Sequence, residues 1–286
     1  MRIPDRRTIE ATRYDYVVVG ASVAGLVFAS AKAEAGATVL TLNEAPFGGG
    51  EITEANAALQ RTDVAEPKTS AIYEAIERER RGVFAKRDGR AAINAEAMKS
   101  VAQDAMEGAD YDVLFAERVS KISFNGSALL SLDGPEGPAI VAAEKIFDAS
   151  ETFLATKAAG GKREIESSLN NIIIEGASDR LADFRLPAER FQFDERLTLM
   201  TLLLDARVER EIENRANEAL RELQRFVVER GGRVYAAPSR SHIVYRLVEA
   251  AQEERVLATP RLAKVPYKRD NAFIVAEGVE RNVEAF

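Results

Sequence analysis

Residues 14–42, YDYVVVGASVAGLVFASAKAEAGATVLTL, constrain this chain more than any other stretch. A β-rich apolar run at 14–19 stops at Gly20. An Ala-rich segment with apolar residues at helical spacing then runs over 23–35, and Gly36 falls where a helix takes a left-handed residue after its last turn. Residues 38–42 form a second β-branched run. Strand, tight turn, helix and strand in so short a space read as a β-α-β unit with its two strands parallel.

The turn, GASVAG over residues 20–25, has the pattern G-x-S-x-x-G. The dinucleotide fingerprint is G-x-G-x-x-G in this same setting, and each glycine has a physical task. The first makes the tight turn, the second lets the backbone approach a pyrophosphate, and the third lets helix and strand pack closely. Gly20 and Gly25 keep the first and third tasks. Ser22 stands at the second, with a hydroxyl to donate near a phosphate, and the N–H groups of Val23 and Ala24 at the helix start favour an anion. The alternative is a β-α-β unit that keeps the turn for packing alone. The acidic residue expected about 20 positions on is out of register: its place falls on Asn43, with Glu44 next. Either is a candidate for a ribose hydroxyl, against a plain loop start.

Residues 45–50, APFGGG, follow the second strand directly. Here the chain resembles the FAD-dependent oxidoreductase family of the glutathione-reductase-like fold, in which a glycine turn after the second strand lies bare against the cofactor. The resemblance implies FAD as cofactor and Gly48, Gly49 and Gly50 as contacts; a flexible hinge is the other reading. It continues at 94–161. Asn94 suits a helix N-cap, Glu96 the first turn, and Ala97, Val101 and Ala105 recur at helical spacing to Gly108. A strand at 111–115, a meander with turns at Asn125-Gly126 and Asp133-Gly134, and a return strand at 145–148 follow. In the family such a meander precedes an Asp-Ala-Thr turn beside the cofactor. Its counterpart is Asp148-Ala149-Ser150, which is also readable as a helix cap, with a helix expected on to Gly160-Gly161. The resemblance adds Val119, Ala149 and Ser150 to the cofactor candidates. It also adds Glu277 and Gly278, at the end of a strand-like run at 271–277.

Between 51 and 92 the chain is polar and weakly patterned, with a helix at 71–81 that turns Ile72, Ala75 and Ile76 inward. Residues 171–175 and 196–204 read as strands, the second apolar on both faces and so covered on both. An amphipathic helix at 207–230 turns Val208, Ile212, Ala216, Leu220, Leu223 and Val227 inward. His242, the sole histidine, suits a general base, a group orienting a substrate carbonyl, or a satisfied structural residue. With Arg246, the remnant of the family's Arg-rich motif, it completes the catalytic candidates.

With 286 residues and 46% hydrophobic content, the length prior gives one or two domains. The expected architecture is α/β: a Rossmann-like parallel sheet with a β-meander over 13–161 plus 262–286, and a mixed α+β substrate or cap domain over 162–261. No cysteine is present, which removes disulfides, thiolate metal sites and flavin-disulfide chemistry; with one histidine, no metal site is expected. The net charge of −7 argues against broad nucleic-acid binding, and no apolar run reaches membrane length, so a soluble cytoplasmic protein is expected.

The resembled family continues after its last strand into a helix facing the flavin. The chain stops at Phe286, and the expectation is an incomplete flavin site, with either weak flavin affinity or a protein partner or second copy that completes it. The function implied is FAD-dependent oxidation or reduction of a small-molecule substrate. Two alternatives stand beside it: a flavin-fold scaffold or assembly subunit with weak or lost cofactor binding, and a flavin-dependent tRNA-modifying protein, for which Leu42-Asn43 is the shared feature.

Overall fold

The computed structural model describes residues 1–258 apart from 62–66, 88–89, 151, 177, 194, 207, 250 and 252–254. The strand-like run at 271–277, with Glu277 and Gly278, lies outside the described residues.

A short helix α1 (Arg6–Ala11), capped by the Asp5 carboxylate on Thr8 N, leads into β1 (Arg13–Val19). The helix α2 (Val23–Glu34) then crosses to β2 (Val39–Asn43), which runs parallel to β1, with Val19 opposite Leu42. A one-turn helix α3 (Glu51–Glu54) follows the glycine run. Residues 59–93, weakly patterned in sequence, form a small antiparallel sheet of β3 (Leu59–Arg61), β4 (Val83–Arg87) and β5 (Arg90–Ile93). Within that span the helix α4 (Pro67–Arg78) starts four residues earlier than expected. Proline suits its first position because the N–H it lacks has no intrahelical acceptor there. Thr69, Ile72, Tyr73 and Ile76 are its buried residues.

Asn94 caps α5 (Ala95–Glu107) through Glu96 N, and the chain continues through β6 (Asp112–Phe115) into the meander β7 (Arg118–Asn125), β8 (Ser127–Gly134) and β9 (Gly137–Asp148). The first sheet has the order β6-β2-β1-β9-β8-β7. β1, β2 and β6 are laid down stepwise to one side, and the chain returns on the other side of β1, where β9 pairs with it in parallel and Val19 lies opposite Asp148. Alternate residues of β1 feed two cores. Val18 packs with Phe28, Phe147 and the helices, while Val17 and Val19 pack with Leu40, Leu42 and the meander's Leu130, Leu132 and Val141. Phe28 and Phe147 stack at 4.0 Å, pinning α2 to the sheet.

After α6 (Leu154–Ala158), the fourteen-residue β10 (Lys162–Glu175) is the spine of a second, antiparallel sheet. A 3-10 turn (Ser178–Asp183) leads to β11 (Ala188–Gln192) and β12 (Leu197–Leu204). Helix α7 (Glu209–Val228) is followed by β13 (Arg233–Ala236) and β14 (His242–Glu249). Both faces of the sheet are covered. Ile172, Ile174, Met200 and Leu202 pack under α7, while Ile173, Leu199 and Phe193 meet Ala58 and Ala92 at the small sheet. On α7, Ile212, Ala216, Ala219, Leu223 and Val227 face inward, and Leu220 is half-buried. Val208 is 55% exposed instead of inward, because it is the extended N-cap and lies before the helical periodicity begins.

The last described strand, β15 (Val256–Ala258), pairs in parallel with β9. The chain thus rejoins the first sheet before residue 262, through three residues too short to stand out as a strand in the sequence. Among the described residues, no helix is long and apolar enough to cross a membrane.

Candidate functional site

The chain departs from β1 toward β2 on one side and returns through β9 on the other, so the carboxyl ends of β1 and β9 diverge into a crevice at a switch of strand order. Gly20 and Ala149 meet there. Gly20 has φ +105°, open to glycine at little cost, and a Cβ on it would lie 2.7 Å from Ser150 N and 2.8 Å from Ala149 C. A Cβ on Gly25 would overlap the Gly20 carbonyl oxygen and press on Ala149 at 3.1 Å. The first and third glycines of the motif therefore pack helix, turn and return strand together, as their spacing predicts.

Ser22 acts differently from the expected phosphate donor. Its hydroxyl donates to Ala149 O at 2.9 Å and accepts from Gly25 N at 3.3 Å, capping α2. Asn43, which also lines the crevice, is bonded to the backbone in the same way. Its Oδ1 accepts from Ala21 N at 2.8 Å, and its Nδ2 donates to Ala45 O at 3.1 Å and Phe47 O at 2.8 Å. The amide braces the turn against the loop after β2, while the exposed Glu44 lies 3.5 Å from Arg118 Nε.

The glycine run also faces protein. Gly48 lies against Ala102 and Met106 of α5. Gly49, at φ +107°, donates to Ala21 O at 2.8 Å and sits where a Cβ would collide with Thr53. Only Gly50 of the three lines the crevice. Asp148-Ala149-Ser150 is both switch point and helix cap. The buried Asp148 carboxylate accepts from Ser150 N, Ser150 Oγ, Thr156 N and Thr156 Oγ1 at 2.5–3.2 Å, and Ser150 Oγ accepts from Leu154 N at 2.8 Å. Burial raises the Asp148 pKa against the pull of these four donors.

The crevice, about 420 Å³ including its open mouth, is floored by Gly20, Ser22 and Ser150, with Val119 and Glu44 toward one end. Three carboxylates border it, each facing an arginine. Besides Glu44, Glu117 accepts from Arg6 Nη2 of α1 at 2.6 Å, and Glu54 Oε2 lies 2.8 Å from Arg240 Nε. Burial pushes the Glu117 carboxyl up, and Arg6 opposes it.

Behind the wall, His242 Nε2 lies 2.9 Å from Glu51 Oε2, both side chains nearly inaccessible at 7% and 4% exposure. The contact is a close approach in which Nε2 makes no aligned hydrogen bond. Burial, then the Glu51 charge, pushes the Tyr73 phenol up. His242 is thus brought to the site's edge as a partner of Glu51. Arg246 is not: it pairs with Glu164 on the solvent side of β14 and does not line the crevice.

The donor set suits a dinucleotide. The N–H groups of Val23 and Ala24 fall in the first turn of a twelve-residue helix, where no intrahelical acceptor exists. An arginine borders the cleft, and an exposed carboxylate stands at the end of β2. The profile of the FAD dependent oxidoreductase family matches residues 15–195. The chain belongs to this family. FAD is accordingly its cofactor, and residues 15–195 take in every described cofactor candidate of the sequence.

Among solved structures, the fold is similar to p-nitrophenol 4-monooxygenase PnpA from Pseudomonas putida DLL-E4 (TM-score 0.63, 16% identity, 95% of this chain and 78% of that one). It is also similar to aklavinone-11 hydroxylase in complex with FAD and aklavinone (0.59, 15%, 95% and 62%). The myxobacterial FAD-dependent chondrochloren halogenase CndH is a third (0.60, 16%, 96% and 72%). The chain thus spans 62% of the aklavinone hydroxylase's length. No curated protein matches the sequence.

Arg240, Glu51 and Glu54 escaped the sequence reading. Glu51 and Glu54 follow the glycine run directly, and that position was the available signal; Arg240, in a loop 190 residues on, carried none.

Proposed function

We propose that the chain is an FAD-dependent oxidoreductase acting on a small organic molecule, with the dinucleotide lying across the switch point and the substrate admitted on the side of the second sheet. The observation that carries this is the crevice at the carboxyl ends of β1 and β9, where a strand, glycine turn and helix N-terminus converge. In this reading, Val23 and Ala24 offer backbone N–H groups to the pyrophosphate, and Glu44 accepts from the ribose. Val119 lies beside the adenine, and Ala149 and Ser150 floor the site. Bound FAD supplies the two-electron redox chemistry. The second sheet, together with the loop before β14, supplies the substrate side, so the division of labour falls near residue 162. The neighbours named for hydroxylation of p-nitrophenol and aklavinone make an aromatic substrate the first class to try.

A visible spectrum of the purified protein, followed by titration with FAD, tests the reading. The expected outcome is a yellow protein, or saturable one-to-one binding with quenched flavin fluorescence. A colourless protein that leaves FAD fluorescence unchanged overturns it in favour of a scaffold.

A further inference from the structure

Of the cleft's described lining residues, Arg240 alone is cationic, and it comes from the far side: the loop between β13 and β14, in the second sheet. We infer that Arg240 is the cation that neutralises the cofactor's pyrophosphate, so that dinucleotide binding depends on the second sheet being seated on α3. The inference rests on the FAD reading above.

Three observations converge on it. First, the turn that ordinarily serves a pyrophosphate is largely committed to protein. The Ser22 hydroxyl goes to Ala149, Gly25 N to Ser22, Ala21 N to Asn43 and Gly20 N to Leu42 O. A dianionic pyrophosphate there meets few donors in the turn, which leaves its charge to a side chain. Second, the neighbouring titratable groups are acidic. Glu44, Glu54 and Glu117 border the same cleft, and a pyrophosphate entering without a cation would face like charge. Third, Arg240 is held in place. Its N and that of Ser239 donate to Glu54 O, at 3.2 and 3.0 Å, Ser239 Oγ donates to the same oxygen at 2.7 Å, and Glu54 Oε2 forms an ion pair 2.8 Å from Nε without an aligned hydrogen bond. Two residues on, His242 abuts Glu51. The backbone of this loop is thus tied to α3, and a guanidinium is a planar fork of donors whose geometry matches phosphate oxygens. The loop reaches across from the second sheet, so the pyrophosphate and α3 hold it jointly.

The test is fluorescence-quench titration of the full chain with FAD, and calorimetric titration with ADP as the phosphate-bearing half alone. Arg240→Gln is expected to weaken both ligands about 10- to 100-fold and to flatten the salt dependence of binding. Arg240→Lys, which keeps the charge and loses the fork, is expected to lose less than Arg240→Gln and remains informative if the glutamine variant fails to fold. Glu54→Gln separates contact from support. With Arg240 acting on the ligand, this variant binds FAD within threefold of wild type or tighter; a loss equal to that of Arg240→Gln shows that Arg240 only props α3 and overturns the inference. Wild-type FAD binding with Arg240→Gln within threefold of it also overturns the inference and leaves the proposed function standing. Failure of the wild type to bind FAD overturns both.

Discussion

The two walls of the crevice are built on opposite principles. On one, Gly20, Gly25 and Ala149 approach because side chains are missing, and polar groups such as Ser22 and Asn43 spend their hydrogen bonds on the backbone beside them. On the other, α3 meets the loop before β14 and the start of that strand through paired polar side chains: Glu54 with Arg240, Glu51 with His242. Nearby, Asn56 Nδ2 donates to Asn171 O at 3.2 Å while Asn171 Nδ2 donates to Ala55 O at 3.0 Å. A wall made by absent atoms is intolerant of addition; a wall made of paired groups is intolerant of the loss of one partner. The first lies within one sheet, between β1, its turn and the end of β9. The second joins parts of the chain more than a hundred residues apart.

Addition to the first wall is the harshest way to break the comparison. Gly25→Val places a branched side chain against the Gly20 carbonyl and Ala149, and neither backbone can retreat without separating β1 from β9. The expected loss is roughly 4 kcal/mol or more of stability, with FAD binding abolished. Urea denaturation and flavin titration measure it. A stable variant that still binds FAD one-to-one places the nucleotide somewhere other than this turn.

The second wall is probed by subtraction. Glu51→Leu or His242→Leu alone strands a buried polar partner and is expected to cost about 3 kcal/mol. The double variant removes both members and should cost clearly less than the sum, with a coupling of about 1 kcal/mol or more in a thermal-denaturation cycle. Strict additivity would mean that the 2.9 Å approach of His242 to Glu51 carries no energy. A collapse of turnover in His242→Leu with stability unchanged would assign His242 to the chemistry instead of to support.

The walls also differ in how far the sequence discloses them. The first is largely legible, because strand, turn and helix lie within 30 residues and their periodicity and glycines are local signals. The Asn94 cap and the meander turns at Gly126 and Gly134 are legible for the same reason. The direction of the Ser22 hydroxyl is not. It depends on Ala149, 127 residues away, and the fingerprint names only the nearby phosphate. Asn43 is misleading likewise, since its position suggests a ribose while its bonds to Ala21, Ala45 and Phe47 arise only once the loop folds back. The small sheet is invisible because strands such as Leu-Gln-Arg and Arg-Ala-Ala-Ile have little propensity of their own. The cover that the second sheet gives Ala58 and Ala92 selects their conformation. The paired wall is illegible because the partners of Glu51 and Glu54 lie about 190 residues further on, at the start of β14 and in the loop before it, where no motif marks them.

The smallest effect separates burial from geometry. Arg246 with Glu164 and Arg240 with Glu54 are both arginine–glutamate pairs at 2.8 Å, so distance alone ranks them equal. Their surroundings differ: side-chain exposures are 53% and 61% for the first pair, 35% and 14% for the second. Solvent screens an exposed pair and competes for both groups, and ordering two long side chains costs entropy, so such a pair contributes ~0–1 kcal/mol. Arg246→Ala is therefore expected to shift stability by less than about 0.5 kcal/mol and to leave FAD affinity within twofold of wild type, whereas Arg240→Gln weakens FAD binding about 10- to 100-fold. Parallel denaturation and flavin titration of the two variants make the comparison. If Arg246→Ala weakens FAD binding as much as Arg240→Gln does, β14 acts on the cofactor along its whole length, and the assignment of that role to the short loop before it is wrong.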